Sequence, residues 1–278
     1  MRQIKIVADS SADIRALDGV AYADAPMKII TAEREFLDTL DMDTAEMVDY
    51  LYTYKGQSKS SCPNPSDWLE AFGESDDIIC FTITSGLSGS YNSACTAKGI
   101  YESEHEGRRV FVVDTLSAGP EVKLGIEYVR EAILSGTPYE EICAGVQEYV
   151  KHTGLVFMLK SLKNFANNGR VSPAVAKIVG IMGICIVGKA SDEGTLDPTH
   201  KCRGEARSLE TLISDMEAYG LKTGKVRIAH CQNEEGALKL RDMVLAKFGS
   251  VDVEVYPFRG LCSFYAEKGG ILVGYEKR

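Results

Sequence analysis

"DDIICFTITSGLSGSYNSA", Asp76–Ala94, is the stretch on which the reading of this chain turns. Its opening is a short apolar run rich in β-branched and aromatic side chains, which reads as a buried strand. Its end continues into "CTAKGIYES" and reads as a helix. Between them lies a loop of serine, threonine and glycine. A flexible spacer would be flanked by polar, structureless sequence, so the strand–loop–helix setting argues for a cradle. Gly86 and Gly89 let the backbone approach a ligand, and hydroxyls and free N–H groups at the helix start can donate to an anion.

Working outward, "QIKIVAD" (Gln3 to Asp9) and "RRVFVVDT" (Arg108 to Thr115) repeat the strand pattern. Apolar residues at helical spacing mark "TAEMVDYLYTYKG" after Asp43, "SDWLEAFG" with Ser66 as N-cap, and "PEVKLGIEYVREAILSG" with Pro120 in the first turn and Gly136 as the stop. Strands alternating with helices imply crossover units. The fold class is therefore α/β in two lobes, the first an open, mainly parallel sheet with helices on both faces. After the helix "YEEICAGVQEYVKHTG", "LVFMLK" (Leu155 to Lys160) reads as a strand, and "SLKNFANNG" and "SPAVAKIVGIMG" as short helices. A hairpin over "CIVGKASDEGTLDPTHKCRG" is expected to turn at Asp192 to Gly194. A helix (Glu205 to Tyr219), the strand "KVRIAH", a helix (Glu234 to Phe248) and the strands "VDVEVYPF" and "GILVGYE" complete a smaller C-terminal α/β domain. The boundary is placed between residues 1–153 and 154–278.

The chain has 278 residues, 45% hydrophobic and 26% charged, enough for a sizeable core without staples. A net charge of −9 argues against a nucleic-acid partner, which would call for excess Lys and Arg. The eight cysteines include no C-x-x-C pair and several sit in apolar runs, so they read as buried hydrophobes in a reducing compartment. "MRQIKIVADSSAD" lacks the apolar core of a signal peptide, and no run is long enough for a membrane span. The expected location is the cytoplasm.

Ligands of open α/β sheets bind beyond the carboxyl ends of the strands. Three loops have that address: "DSSAD" (Asp9 to Asp13), "TSGLSGS" (Thr84 to Ser90) and "DTLSAG" (Asp114 to Gly119). "SKSSCPNPS" (Ser58 to Ser66) adds hydroxyls on a proline-stiffened loop. Neither a phosphate-loop motif nor a dinucleotide fingerprint is present. "GLSGS" misses the nucleophile elbow by one residue, and a triad would need His105, His152, His200 or His230 to meet it. Asp9 and Asp13 read as turn and cap residues and His230 as a structural histidine, with no metal site. Two rival readings stay open: an enzyme that isomerises a phosphosugar or hydrolyses a substrate through the Ser-rich loop, and an interaction module without ligand.

Together these motifs resemble the DegV family of bacterial fatty-acid-binding proteins, whose members act as acyl-binding subunits of a fatty-acid kinase. "IVADSSADI", "KSSCPNPSDW", "TSGLSGSYNSA", "VVDTLSAG", "LKNFANNGRVS", "KCRGEARSLETL" and "IAHCQNEEGA" follow in the family's order. The resemblance implies a long-chain fatty acid such as palmitate or oleate held between two lobes. It implies no catalysis by the chain alone, no cofactor, and a fatty-acid kinase as partner. Ser60 stands at the family's carboxylate-binding threonine and Ser85 at its partner serine, with Ser61, Gly86 and Ser88 completing the cradle. Arg170, Arg203 and Tyr265 are candidates for headgroup or partner contacts. The chain departs from the family's pattern at "YAEKG", where Tyr265 replaces the histidine of a His-Thr-Gly-Pro-Gly element beside the acyl head. It departs again at Asn168-Gly169-Arg170, which stands for Gly-Gly-Arg, and at "CIV" (Cys185 to Val187), which stands for Lys-Pro-Ile. At Pro120 and Glu121 the family commonly has small residues. A glutamate facing an acyl tunnel is costly unless paired or turned to solvent.

Overall fold

The computed structural model describes residues 2–172 and 183–277. The helix expected over "SPAVAKIVGIMG" falls largely on residues 173–182, outside the described residues. Two sheets organise the fold. The first runs in the order β2 (Ala21–Ala25), β1 (Ile4–Asp9), β6 (Asp77–Thr82), β7 (Arg109–Asp114), with every neighbour parallel. Every residue of β6 is buried, as a strand covered on both faces must be. On one face lie α2 (Pro65–Phe72) and α3 (Ser90–Glu104), packing Trp68, Phe72, Ala94, Ala97 and Tyr101 against Val7, Ile78 and Cys80. On the other lie α4 (Pro120–Leu134) and α5 (Tyr139–Tyr149), which set Val122, Ile126, Val129, Ile142 and Val146 on Ile6, Ile79 and Phe81. The cap of α2 is Asn64 rather than Ser66. Pro65 supplies the preset φ of the first helical position, and the Asn64 side chain accepts from the N–H groups of Ser66 and Asp67.

The second sheet has six strands in the order β10 (Leu196–Arg203), β9 (Ile184–Ala190), β8 (Thr153–Leu159), β13 (Ile271–Glu276), β11 (Gly224–His230), β12 (Val251–Pro257). All its pairs are antiparallel except β11 with β12. The second sheet thus exceeds the first, although its share of the chain is shorter. One face carries α7 (Glu205–Ala218) and α8 (Glu234–Phe248) over Val156, Met158, Val226, Ile228 and Val273. The opposite face turns toward the first lobe.

A third sheet of three short antiparallel strands, β4 (Glu35–Leu37), β3 (Lys28–Ile30) and β5 (Lys59–Ser61), was not legible in the sequence. Three-residue strands are too short to show a period of two. With α1 (Thr44–Thr53), α6 (Lys163–Asn167) and α9 (Gly260–Ala266), this sheet closes the space beside β8. Ile29, Phe36, Met47 and Val48 pack there with Phe157, Leu159, Phe165 and Phe264, so an early segment of the chain shares a core with late elements.

Buried charge fixes the loops at the carboxyl end of the first sheet. Asp9, at the end of β1, accepts from Ser11, from the Ile83 N–H at 2.9 Å and from the Ser90 hydroxyl at 2.6 Å, tying two of the three expected ligand loops together. Burial raises its carboxyl above the usual range, and these donors oppose that rise. Asp38 accepts from the N–H groups of Gly260 and Leu261 at 2.9 and 2.8 Å, and Asp13 from that of Arg259 at 2.7 Å. Two carboxylates of the first half thereby satisfy the start of α9 in the second. Arg259, 1% exposed, pairs with Asp24 at 2.6 Å and donates to the carbonyls of Ile14 and Asp38.

Candidate functional site

Between the two large sheets lies a chamber of about 300 Å³ with mainly apolar walls. Alternate residues of β8, namely Leu155, Phe157 and Leu159, face it, as the strand's period of two dictates. Leu272 of β13, Ile83 after β6, Leu261 and Cys262 of α9, Leu196 of β10 and Met27 complete much of the wall.

Polar groups gather at one end. Ser60 sits in β5, paired with Ile29 of β3, and its hydroxyl lies 2.7 Å from the Tyr265 hydroxyl of α9. Either oxygen can donate. The Tyr265 ring is held against Phe165 of α6 at 4.6 Å and edge-on to Phe264 at 4.8 Å. Burial raises the phenol above its usual value, with the Ser60 hydroxyl and the nearby Arg170 charge pulling the other way. Tyr265 is therefore a neutral donor. Arg170 donates from Nε to the Leu87 carbonyl at 3.1 Å and from Nη1 to the Asn168 carbonyl, which seats its guanidinium between the glycine-rich loop and the end of α6. The Asn168 amide oxygen accepts from the Ser60 N–H at 3.3 Å. Ser61, Cys62, Ser88 and Gly89 line the same chamber. The Ser88 hydroxyl accepts from the Ser90 N–H at 3.3 Å, at the first turn of α3, whose N-cap Gly89 offers no side-chain cap.

Of the residues expected from sequence, Ser60, Ser61, Ser88, Arg170 and Tyr265 lie on the wall. Ser85 and Gly86 do not. The Leu87 N–H donates back to the Thr84 carbonyl, so Ser85 and Gly86 are the central residues of a turn and are exposed. The Ser85 N–H is given to Asp114, and a Cβ on Gly86 would come 2.5 Å from the Glu193 carbonyl of the β9–β10 hairpin. Ser88, three residues later in the same loop, is on the wall. Arg203 is exposed at the end of the edge strand β10, away from the wall, where pairing with Ile184 fixes it.

The sequence reading missed Cys262 and the apolar wall of α9, and did not single out Thr84 and Cys62 within the loops it named. Seven residues that are apolar nearly all round, "GLCSFYA", carry no helical period by which to recognise that helix. The hairpin tip also escaped notice as a wall. Gly194 there takes φ +72 and rests so close to Thr84 and Leu116 that a side chain would strike both. None of the four histidines lines the chamber, so no Ser–His pair is assembled at Ser60 or Ser88. Among the described residues no group of three or more His, Cys, Asp or Glu side chains is arranged to hold a metal.

The fold and the chamber define an α/β protein whose two large sheets flank a mainly apolar cavity with a hydroxyl-bearing end. A family model described as an uncharacterised protein of the DegV family matches residues 3–278, and the chain belongs to the DegV family. A DegV domain-containing protein of Streptococcus pneumoniae is 38% identical over 276 residues, 98% of each chain. Among solved structures, a DegV family protein from Eubacterium eligens loaded with heptadecanoic acid superposes with a TM-score of 0.97 at 42% identity, over 99% of this chain and 100% of that one. The Streptococcus pneumoniae Fatty Acid Kinase B3 protein, loaded with linoleic acid, also gives 0.97, at 37% identity and the same coverage.

Proposed function

We propose that this chain binds one long-chain fatty acid, such as palmitate or oleate, between a lobe of residues 1–153 and a lobe of residues 154–278. The observation that carries the reading is an apolar chamber whose polar end brings together Ser60, Tyr265, Ser61, Ser88 and Arg170. The carboxylate accepts from Ser60 and Tyr265, which without ligand satisfy each other, and from Ser88 or the amides beside it. Arg170 contributes positive charge at the rim, so the head is not held by neutral donors alone. Each methylene removed from water contributes about 0.8 kcal/mol, so the tail dominates affinity and the hydroxyls set orientation. The loaded relatives support the same ligand class.

The chain alone carries out no reaction in this reading. Its partner is a fatty-acid kinase to which the bound acid is presented, with a tyrosine beside the acyl head. The cytoplasm is the proposed location. All eight cysteines are free, as a reducing compartment requires, and among the described residues no helix is long and apolar enough to cross a membrane. Denaturing extraction of the purified protein followed by mass spectrometry is expected to release a long-chain acid. Recovery of no acid, together with no uptake of added palmitate or oleate, overturns the proposal.

A further inference from the structure

The chamber stops abruptly at the end opposite Tyr265. On β8 the wall positions run Leu159, Phe157, Leu155, and at roughly 3.3 Å per residue they cover about 13 Å. The next position on that face is Thr153, and its hydroxyl donates to the Glu121 carboxylate at 2.7 Å. The neighbouring strand ends the chamber in the same way. Leu272, opposite Phe157, lines it, but Gly274, opposite Leu155, is covered by the first turn of α4. A Cβ at Gly274 would come 2.5 Å from the Glu121 nitrogen, so the helix rests directly on the strand. From the other side the Ser117 hydroxyl, itself on the chamber wall, donates to the second carboxyl oxygen of Glu121. Glu121 is thus 9% exposed and gripped by one hydroxyl from the loop after β7 and one from the first residue of β8.

Behind it lies a second cavity of about 490 Å³, more polar than the chamber and bordered in part by Glu121, Thr153, Lys151, Lys189 and Lys277. Leu155 and Ala190 line both spaces. We propose that Glu121, pinned between Ser117 and Thr153, is the plug that divides these cavities and sets the longest acyl chain the protein accepts. The inference rests on the acyl-binding reading. The plug is rigid because backbone packing at Gly274 leaves α4 no room to retreat. Burial raises the Glu121 carboxyl above its ordinary value, which favours the neutral acid that can sit next to a methyl end. Both oxygens of this buried glutamate are satisfied, which offsets the cost of placing it between the two cavities.

The test is a binding series of laurate, palmitate, stearate, arachidate and behenate against delipidated wild type, Glu121→Ala and Glu121→Gln. Wild type is expected to show a cutoff beyond which each added methylene weakens binding, by roughly tenfold or more. Glu121→Ala opens the partition and moves the cutoff to longer chains. Glu121→Gln keeps the volume, accepts from one hydroxyl through its amide oxygen, donates to the other through its amide nitrogen, and restores it. A Glu121→Ala profile parallel to wild type, or a wild type with no cutoff across the series, overturns the plug while leaving fatty-acid binding intact. Failure of every acid to bind wild type overturns the binding reading itself. Should Glu121→Ala not fold, Thr153→Ala, which frees one oxygen of the plug, is read for the same displacement.

Discussion

The two sides of the chamber are built from opposite materials. The side from the first half and α9 is a lattice of buried carboxylates: Asp9, Asp13 and Asp38 hold loop and helix amides, and Arg259 lies among them. The side from the second sheet is a plain apolar wall, with β8 buried along its whole length. Directional hydrogen bonds can place a helix start to within a fraction of an ångström, which a hydroxyl such as that of Tyr265 needs if it is to meet a head group. Apolar packing has no direction and serves the hydrocarbon, whose affinity scales with area. Orientation and affinity therefore come from different sides of the chamber.

The largest effect is expected on the polar side. Arg259→Ala leaves the Asp24 and Asp38 carboxylates with their cation removed and should cost about 3–5 kcal/mol of stability by urea unfolding. A loss below 1 kcal/mol would erase the contrast between the two sides.

The next test uses pH. Burial pushes the Asp13 carboxyl up to about 7 in the folded chain, against about 3.9 when unfolded. Between those values the folded state binds the extra proton, so this group's contribution to stability falls as pH rises from about 4 to about 7 and is level beyond either end. Asp13→Asn lacks the titration while its amide oxygen can still accept from Arg259. Wild type should lose ground to it across that window by up to a few kcal/mol. Parallel unfolding profiles would remove Asp13 from the account.

On the apolar side, Leu159→Ala is expected to cost about 2 kcal/mol, the low end for such a truncation, because the chamber already leaves part of the side chain without neighbours. Palmitate affinity should fall with it. Smallest is Tyr265→Phe, which removes one hydroxyl from the polar end and should weaken palmitate binding by about fivefold, near 1 kcal/mol, with little change in stability. A Tyr265→Phe effect larger than that of Leu159→Ala on binding would reverse the assignment of orientation and affinity.

How much of this was legible follows from the range of each signal. Helix α8 ends where Gly249 at φ +68 was available to stop it, and β6 announced itself as an unbroken apolar run. Glycine punctuation and apolar period act over a few residues and survive in any context. The small sheet β4-β3-β5 left no such mark, since its strands owe their existence to α1, α9 and the face of the second sheet. At the site, the sequence named both Ser85 and Ser88 in one loop but could not say which faces the chamber: the Ser85 N–H is held by Asp114 and the turn packs on the hairpin tip, while Ser88 lies on the wall.

The sequence by itself determined that strands feed hydroxyl- and glycine-bearing loops into helices, that the core is large, and that the chain belongs among the DegV proteins. Those facts are written in spacings of two to four residues. The tertiary structure alone decided that Ser60 meets Tyr265 across more than two hundred residues, that Arg203 stands apart, and that Glu121 closes the far end of the chamber. Convergence of distant side chains depends on how whole sheets and helices pack, and packing is a sum over many weak contacts that no short stretch of sequence contains.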